Sequence, residues 1–116
     1  LEVEIGMSYT DLTGVITMHN QVVANSNFQY EVGKYRTLTI EVYGTSASRT
    51  VNFSSIGYSG AVYPLTGVRL SDLSVATSTT GTGEIWTFEV AGLDFIKIDV
   101  VSIAGGNVSV KGRFVA

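Results

Sequence analysis

The sequence contains no cysteine, so neither a disulfide framework nor a thiolate metal site can hold it together, and redox chemistry is silent about its compartment. Packing alone must stabilise the fold. There is a single proline, Pro64, and a single histidine, His19. One imidazole without a thiol partner cannot anchor a histidine-based zinc site. Charge is sparse: charged residues make up 15%, with ten acids against seven bases and a formal net charge of −3. That balance offers no electrostatic footing for nucleic acid or an anionic membrane surface. No apolar run approaches the roughly 20 residues of a membrane-spanning helix. The chain opens on Leu1 and not on Met, as a fragment or a processed product would.

What is present is apolar and periodic. Of 116 residues, 45% are hydrophobic and 13 are glycine, the profile of strands joined by short turns. A chain of this length fits one domain and buries roughly two-thirds of its unfolded surface. Leu1, Val3, Ile5 and Met7 alternate with Glu2, Glu4 and Ser8, so the chain begins like a strand with one wet face. Extended segments follow at Val15 to Met18 and Gln21 to Ala24, then at Phe28, Tyr30 and Val32, from Arg36 to Tyr43, and at Val51 and Phe53. Val68, Leu70 and Leu73 suit either a short strand or a helical turn. Ser74 to Gly83 is polar and predicts an exposed, mobile loop.

From Trp86 onward, Phe95, Lys97 and Asp99 alternate with Ile96, Ile98 and Val100, ahead of a Gly105-Gly106 pair and a further run with Val108 and Val110. The simplest reading is an antiparallel hairpin turning at the two glycines. The two halves of the chain also echo one another. Tyr30-Glu31-Val32 answers Phe88-Glu89-Val90, Leu38 to Val42 answers Ile96 to Val100, and Val51 and Phe53 answer Val108 and Val110 after a one-residue shift. Stacking two such units buries both apolar faces in a sandwich about 10 Å thick. The expected fold is therefore all-β, a two-sheet antiparallel sandwich of eight or nine strands with a jelly-roll-like variant allowed. Residues 15–116 form its single domain, and 1–14 form an N-terminal arm or first strand. The core is expected from Phe28, Tyr30, Leu38, Ile40, Val42, Val51, Phe53, Trp86, Phe88, Ile96, Ile98, Val108 and Val110.

Residues able to do chemistry are few. A Ser-His-Asp set built on His19 needs a serine and an aspartate to converge on it, and no Gly-x-Ser-x-Gly elbow occurs. Glu31, Glu41, Glu89 and Asp99 sit at alternating strand positions and read as the solvated face of a sheet, not as paired catalytic carboxylates. Gly105-Gly106 lacks the lysine-serine pair of a phosphate-cradling loop, and no calcium-loop pattern is present. The expectation is no catalytic residue, no metal ligand and no cofactor. Asn52-Phe53-Ser54 and Asn107-Val108-Ser109 fit the glycosylation triplet, but both lie inside predicted strands. Among the aromatics, Trp86 belongs with the core, while Tyr58 and Tyr63, flanking Gly60 in an irregular stretch, are the candidate glycan contacts.

The segments VANSNFQYEVGKYRTLTIEVYGTSASRTVNF, YPLTG and GEIWTFEVAGLDFIKIDVVSIAGGNVSVKGRFVA resemble a β-sandwich module of tailed-bacteriophage virion structural proteins. Phe28, Tyr30, Val32, Tyr35, Gly44, Val51, Phe53, Tyr63, Pro64, Leu65, Phe88, Val90, Gly92, Leu93, Gly106, Val108 and Val110 carry the likeness, from Val23 to the end of the chain. Tyr58-Ser59-Gly60 departs from the Asp-Gly turn common in that family, and Lys97 stands where arginine is frequent. The resemblance implies a non-catalytic part of the virion exterior, such as a capsid decoration, head fibre or tail or baseplate appendage. Its implied partners are other virion proteins, further copies of itself and host-surface glycan, not nucleic acid or membrane. Leu1, Val3, Ile5 and Met7 are then the candidate assembly arm. The rival expectation is a carbohydrate-binding module of a secreted or cell-wall-active protein, using Tyr58 and Tyr63.

Overall fold

A computed structural model describes residues 11–116. The candidate arm residues Leu1, Val3, Ile5 and Met7 lie outside the described residues. Eleven strands follow in order: β1 (Ile16–Val22), β2 (Gln29–Glu31), β3 (Thr37–Tyr43), β4 (Ser48–Ile56), β5 (Val62–Pro64), β6 (Gly67–Arg69), β7 (Val75–Ala76), β8 (Ser78–Thr79), β9 (Glu84–Glu89), β10 (Phe95–Ala104) and β11 (Val108–Val115). They form two antiparallel sheets. One has the order β1-β11-β3-β9-β6-β7, and the other β2-β10-β4-β5, with β8 also paired to β4.

Alternation along the strands decides which side chains meet between the sheets. In β3, Leu38, Ile40 and Val42 are buried while Thr39 and Glu41 are exposed; β4 repeats this with Val51 and Phe53, and β10 with Ile96, Ile98 and Val100. Phe53 from one sheet lies 5.1 Å from the Trp86 ring and 4.9 Å from the Phe88 ring of the other. These offset and edge contacts are favoured geometries for aromatic pairs. Phe28 and Tyr30 are only partly buried and pack against the core, with Tyr30 stacked on Phe114 at 5.0 Å. Met18, Val32, Leu65, Val90, Val100 and Phe114 join the expected core residues.

The expected hairpin does not form. β10 pairs with β2 and β4, β11 pairs with β1 and β3, and the two strands lie in opposite sheets. Each carries a fully buried apolar face, and placing the two strands in opposite sheets turns both faces into the common core. Gly106, at φ +140°, makes the crossing against the loop after β3, where a Cβ would come within 2.7 Å of the Thr45 carbonyl oxygen.

The internal echo has a structural counterpart. β3 lies between β11 and β9, and β10 lies between β4 and β2, so corresponding strands occupy equivalent places in the two sheets. Register agrees: Leu38 faces Phe88, and Ile96 faces Tyr30. The third strand departs from expectation, since Val42 faces Val110 while Val100 faces Val51. Val51 therefore corresponds to Val110, not Val108. A period of two cannot distinguish these alignments, because both keep the same face inward.

The Ser74 to Gly83 stretch is likewise not a free loop. It supplies β7 and β8, and Thr79 is buried. Buried Arg49 holds it by donating to the Thr80 carbonyl at 2.8 Å, while the rest of its guanidinium bonds the Ser46 hydroxyl and carbonyl at 2.8 and 2.6 Å. The Val68 to Leu73 segment uses both of its allowed forms. β6 ends at Arg69, and a turn closed by Leu73 N–H to Arg69 C=O at 2.8 Å follows.

Residues 11–13 run beside the C-terminal end of β11. Leu12 bridges to Val115, Thr13 and Phe114 exchange hydrogen bonds, and Ala116 N–H donates to the Asp11 carbonyl at 2.7 Å.

Candidate functional site

The solvent face of the five-stranded sheet is concave where β5 and β8 share one edge of β4 in succession. Phe53 marks the junction: its N–H donates to the Thr77 carbonyl at 2.9 Å, and its carbonyl accepts from Leu65 N–H at 3.0 Å. The two segments diverge there and leave a groove of about 400 Å³ bordered by Asn52, Ser54, Val62, Pro64, Thr77, Ser78, Lys97 and Asp99.

Register arranges these side chains in two rows. Lys97 faces Ser54, which faces Pro64; Asp99 faces Asn52, which faces Ser78. Directly opposed residues of antiparallel strands project to the same side. Both rows therefore stand on the groove side, while Ile98 and Phe53 between them point into the core.

Asp99 is buried, at 9% exposure, and is not part of a solvated face as alternation alone suggests. The segment before β2 runs on beside this end of β10 and continues the pairing of those two strands. Ser26 bridges to Val100, and Phe28 N–H donates to Asp99 Oδ1 at 3.1 Å. Asp99 Oδ2 takes Lys97 Nζ at 3.3 Å. A carboxylate accepts up to about four hydrogen bonds and an ammonium donates three. Both members of the pair therefore have hydrogen-bonding capacity beyond these contacts among the described residues.

A second polar cluster closes one side of the sandwich. Arg69 grips Asp72 with two bonds of 3.1 and 2.7 Å, and Glu84 with one of 2.9 Å. Glu84 Oε1 also accepts from Thr79 Oγ1 at 2.6 Å and from Trp86 Nε1 at 3.0 Å. Hydrogen bonds from Arg69 and Ser74 hold the Asp72 carboxyl well below the usual carboxylate range. Burial pushes the Glu84 carboxyl up, but the bonds from Thr79, Trp86 and Arg69 together outweigh it and leave the group below its ordinary value. The same acids raise the Arg69 guanidinium further above its already high value. Arg69, Asp72 and Glu84 bond one another and the neighbouring Ser74, Thr79 and Trp86, which marks the cluster as a brace between elements.

His19 is 2% exposed. Its Nε2 lies 2.7 Å from the Ile98 carbonyl, which can only accept, so Nε2 donates there, and Nδ1 lies 3.1 Å from the Ser26 hydroxyl. The ring thus ties β1 of one sheet to β10 of the other. Among the described residues no group of three His, Asp or Glu side chains is placed to hold a metal ion. No helix of the described residues is long and apolar enough to cross a membrane.

The candidate glycan contacts are both on the surface, Tyr58 at 83% and Tyr63 at 55% exposure. The Tyr58 hydroxyl donates to the Gly92 carbonyl. Tyr63 borders the groove through its place in β5, but it pairs opposite Ser55, which turns its ring away from the Lys97 and Asp99 rows and across Gly57. The residues that do converge, Asn52, Ser54, Thr77, Ser78, Lys97 and Asp99, went unremarked in the sequence as a group. The available signal was a lysine and an aspartate two apart on one strand face; only strand pairing brings Asn52 and Ser54 beside them.

Similarities to known proteins fit this fold. YomS, an SPbeta prophage-derived protein of Bacillus subtilis (strain 168), is 35% identical over 101 residues, covering 86% of this chain and 85% of YomS. Its crystal structure superposes with a TM-score of 0.84, covering 91% of this chain and 94% of that one. XepA, of the phage-like element PBSX in the same organism, is 40% identical over 79 residues, 68% of this chain but 28% of XepA. The crystal structure of the PBSX exported protein XepA gives a TM-score of 0.88 and 32% identity, over all of this chain and 40% of that one. The chain thus spans less than half of XepA and most of YomS. Both relatives are phage-element proteins with this two-sheet architecture, and the XepA family model matches residues 11–114, so the chain belongs to the XepA family.

Proposed function

We propose that this chain is a non-catalytic structural and adhesive module of a bacteriophage-type particle, carried on the virion exterior as a capsid decoration, head fibre or tail appendage and acting as a homo-oligomer. The observation that carries the reading is the match to YomS over 94% of its solved chain, because that prophage-derived protein is then little more than one such sandwich. A sandwich braced on both sides, by His19 and by Glu84, works through rigidity. It holds surface features at fixed spacing, and repetition in an oligomer or on a particle multiplies weak contacts into avidity. The stretch before residue 11, in whose sequence Leu1, Val3, Ile5 and Met7 alternate with Glu2, Glu4 and Ser8, is the arm proposed to reach a neighbouring copy or another virion protein.

The test is twofold. Light scattering of the whole chain and of a chain lacking residues 1–10 reads the arm: a closed oligomer that falls to monomer on truncation supports it, and an unchanged mass removes it. Sedimentation of tagged protein with particles purified from an induced lysogen reads the location. Tag found only in the particle-free fraction rejects the virion assignment.

A second reading, a carbohydrate-binding module of a secreted or cell-wall-active protein, is favoured by one observation, the polar groove on the five-stranded sheet. XepA is itself described as an exported protein.

A further inference from the structure

We infer that the groove over β4 and β10 is a binding site for a neutral saccharide, with Lys97 and Asp99 reading a pair of adjacent hydroxyls. The inference rests on the adhesive role proposed above and names its ligand and its residues.

The chemistry of the floor carries the assignment. Lys97 and Asp99 lie two residues apart on one strand face, paired at 3.3 Å, and both border the groove. A hydroxyl both donates and accepts. One sugar hydroxyl can therefore accept from Lys97 Nζ while donating to Asp99, and its vicinal neighbour can complete the same pattern with Asn52 or Ser54. The backbone bond from Phe28 fixes the carboxylate in place before any ligand arrives, which reduces the ordering cost of binding.

Charge selects the class. The ammonium and the carboxylate cancel, and Asn52, Ser54, Thr77 and Ser78 add only neutral donors and acceptors. A phosphate or a uronate would meet Asp99 as a like charge held beside Lys97, the one cation bordering the groove among the described residues. A purely apolar ligand would bury that pair without replacing its contacts with water. Val62 and Pro64 on the β5 wall offer apolar surface of modest extent, suited to the carbon face of a pyranose. The groove is open and its walls are short, so affinity per site is expected to be weak. Repetition in an oligomer would supply the strength.

The experiment is an amide NMR titration of the whole chain with maltotriose, cellotriose and chitotriose, and with glucuronate and inorganic phosphate as anionic controls. The expected result is millimolar binding of at least one neutral sugar, with shifts confined to residues 52–54, 77–78 and 97–99. Lys97→Met and Asp99→Asn should weaken it at least about tenfold, or about 1.4 kcal/mol. Asp99→Asn keeps an oxygen for Phe28 N–H. Should either variant lose its dispersed spectrum, Asn52→Ala, a change at an exposed position, serves in its place and should weaken binding severalfold. Tyr58→Ala should leave it unchanged. Absence of groove shifts with all three sugars overturns the inference, as does binding of the anions alone or binding indifferent to the Lys97 and Asn52 substitutions. Such a failure leaves the particle assignment standing, since sedimentation with virions does not depend on the groove.

Discussion

Thr79 and Glu84, five residues apart in the chain, join the two sheets: Thr79 Oγ1 donates to Glu84 Oε1 at 2.6 Å. Thr79 belongs to β8, which pairs with β4 in the five-stranded sheet, whereas Glu84 opens β9 of the six-stranded sheet. Through Arg69 and Trp86 the same carboxylate also holds the turn after β6 and the largest core side chain. Glu84 thus helps order a stretch of serine, threonine and glycine that Arg49 also holds through the Thr80 carbonyl.

Stability should fall in acid through this brace. The Asp72 and Glu84 carboxyls lie below their ordinary values in the folded protein. Their contribution is therefore fully present above the ordinary carboxylate range and is lost as pH falls through and below it. Thermal midpoints measured from neutral pH down to about pH 3, across the reference carboxylate range, should decline. The decline should be shallower in Glu84→Gln, which is also expected to lower stability at neutral pH by about 1–3 kcal/mol. An identical acid limb in the variant would remove Glu84 from the account.

Phe53 anchors the contact between sheets, meeting Trp86 and Phe88 at once. Phe53→Ala should cost about 3–5 kcal/mol, the usual range for a buried aromatic truncated to alanine. Urea unfolding followed by Trp86 fluorescence measures it directly. Tyr58→Ala, at an exposed position, should stay within about 0.5 kcal/mol of the parent.

Gly106 carries the crossing between β10 and β11. An alanine there meets both a positive φ and a Cβ within 2.7 Å of the Thr45 carbonyl oxygen. Gly106→Ala is expected to destabilise by at least about 1–3 kcal/mol. Gly14→Ala, where no atom lies within 4 Å of the new Cβ, is the control. Equal denaturation midpoints for the two would contradict the crossing as drawn.

His19→Ala should destabilise by about 1–3 kcal/mol, because it leaves the Ser26 hydroxyl and the Ile98 carbonyl without their buried partner. Hydrogen exchange should locate the loss, with faster exchange in β1 and at residues 26–28 and little change in β4. Uniform acceleration across both sheets would instead assign His19 to the global core.

The faces of the strands were legible from alternation alone. Leu38, Ile40, Val42, Val51, Phe53, Trp86, Phe88, Ile96, Ile98, Val108 and Val110 are all buried where a period of two places them inward. Phe28 and Tyr30 share the pattern yet stay partly exposed, because they lie at the end of the sandwich where β2 is short. Asp99 differs for a related reason: alternation puts it on the outer face, correctly, but cannot reveal that residues 26–28 pair along β10 and that Phe28 N–H donates to its carboxylate. Gly105-Gly106 looked like a hairpin turn because the same dipeptide serves equally where a chain leaves one sheet for another.

The class of fold, the inward face of each strand and the two-unit plan are legible in the sequence, since these follow from the period of the backbone and the identity of neighbouring side chains. Which strands pair, that β10 and β11 lie in opposite sheets, and that Lys97, Asp99, Asn52 and Ser54 border one groove are set by the folded chain alone. Strand pairing joins residues far apart in the chain, and a two-residue period is satisfied by every register that differs by an even number of positions.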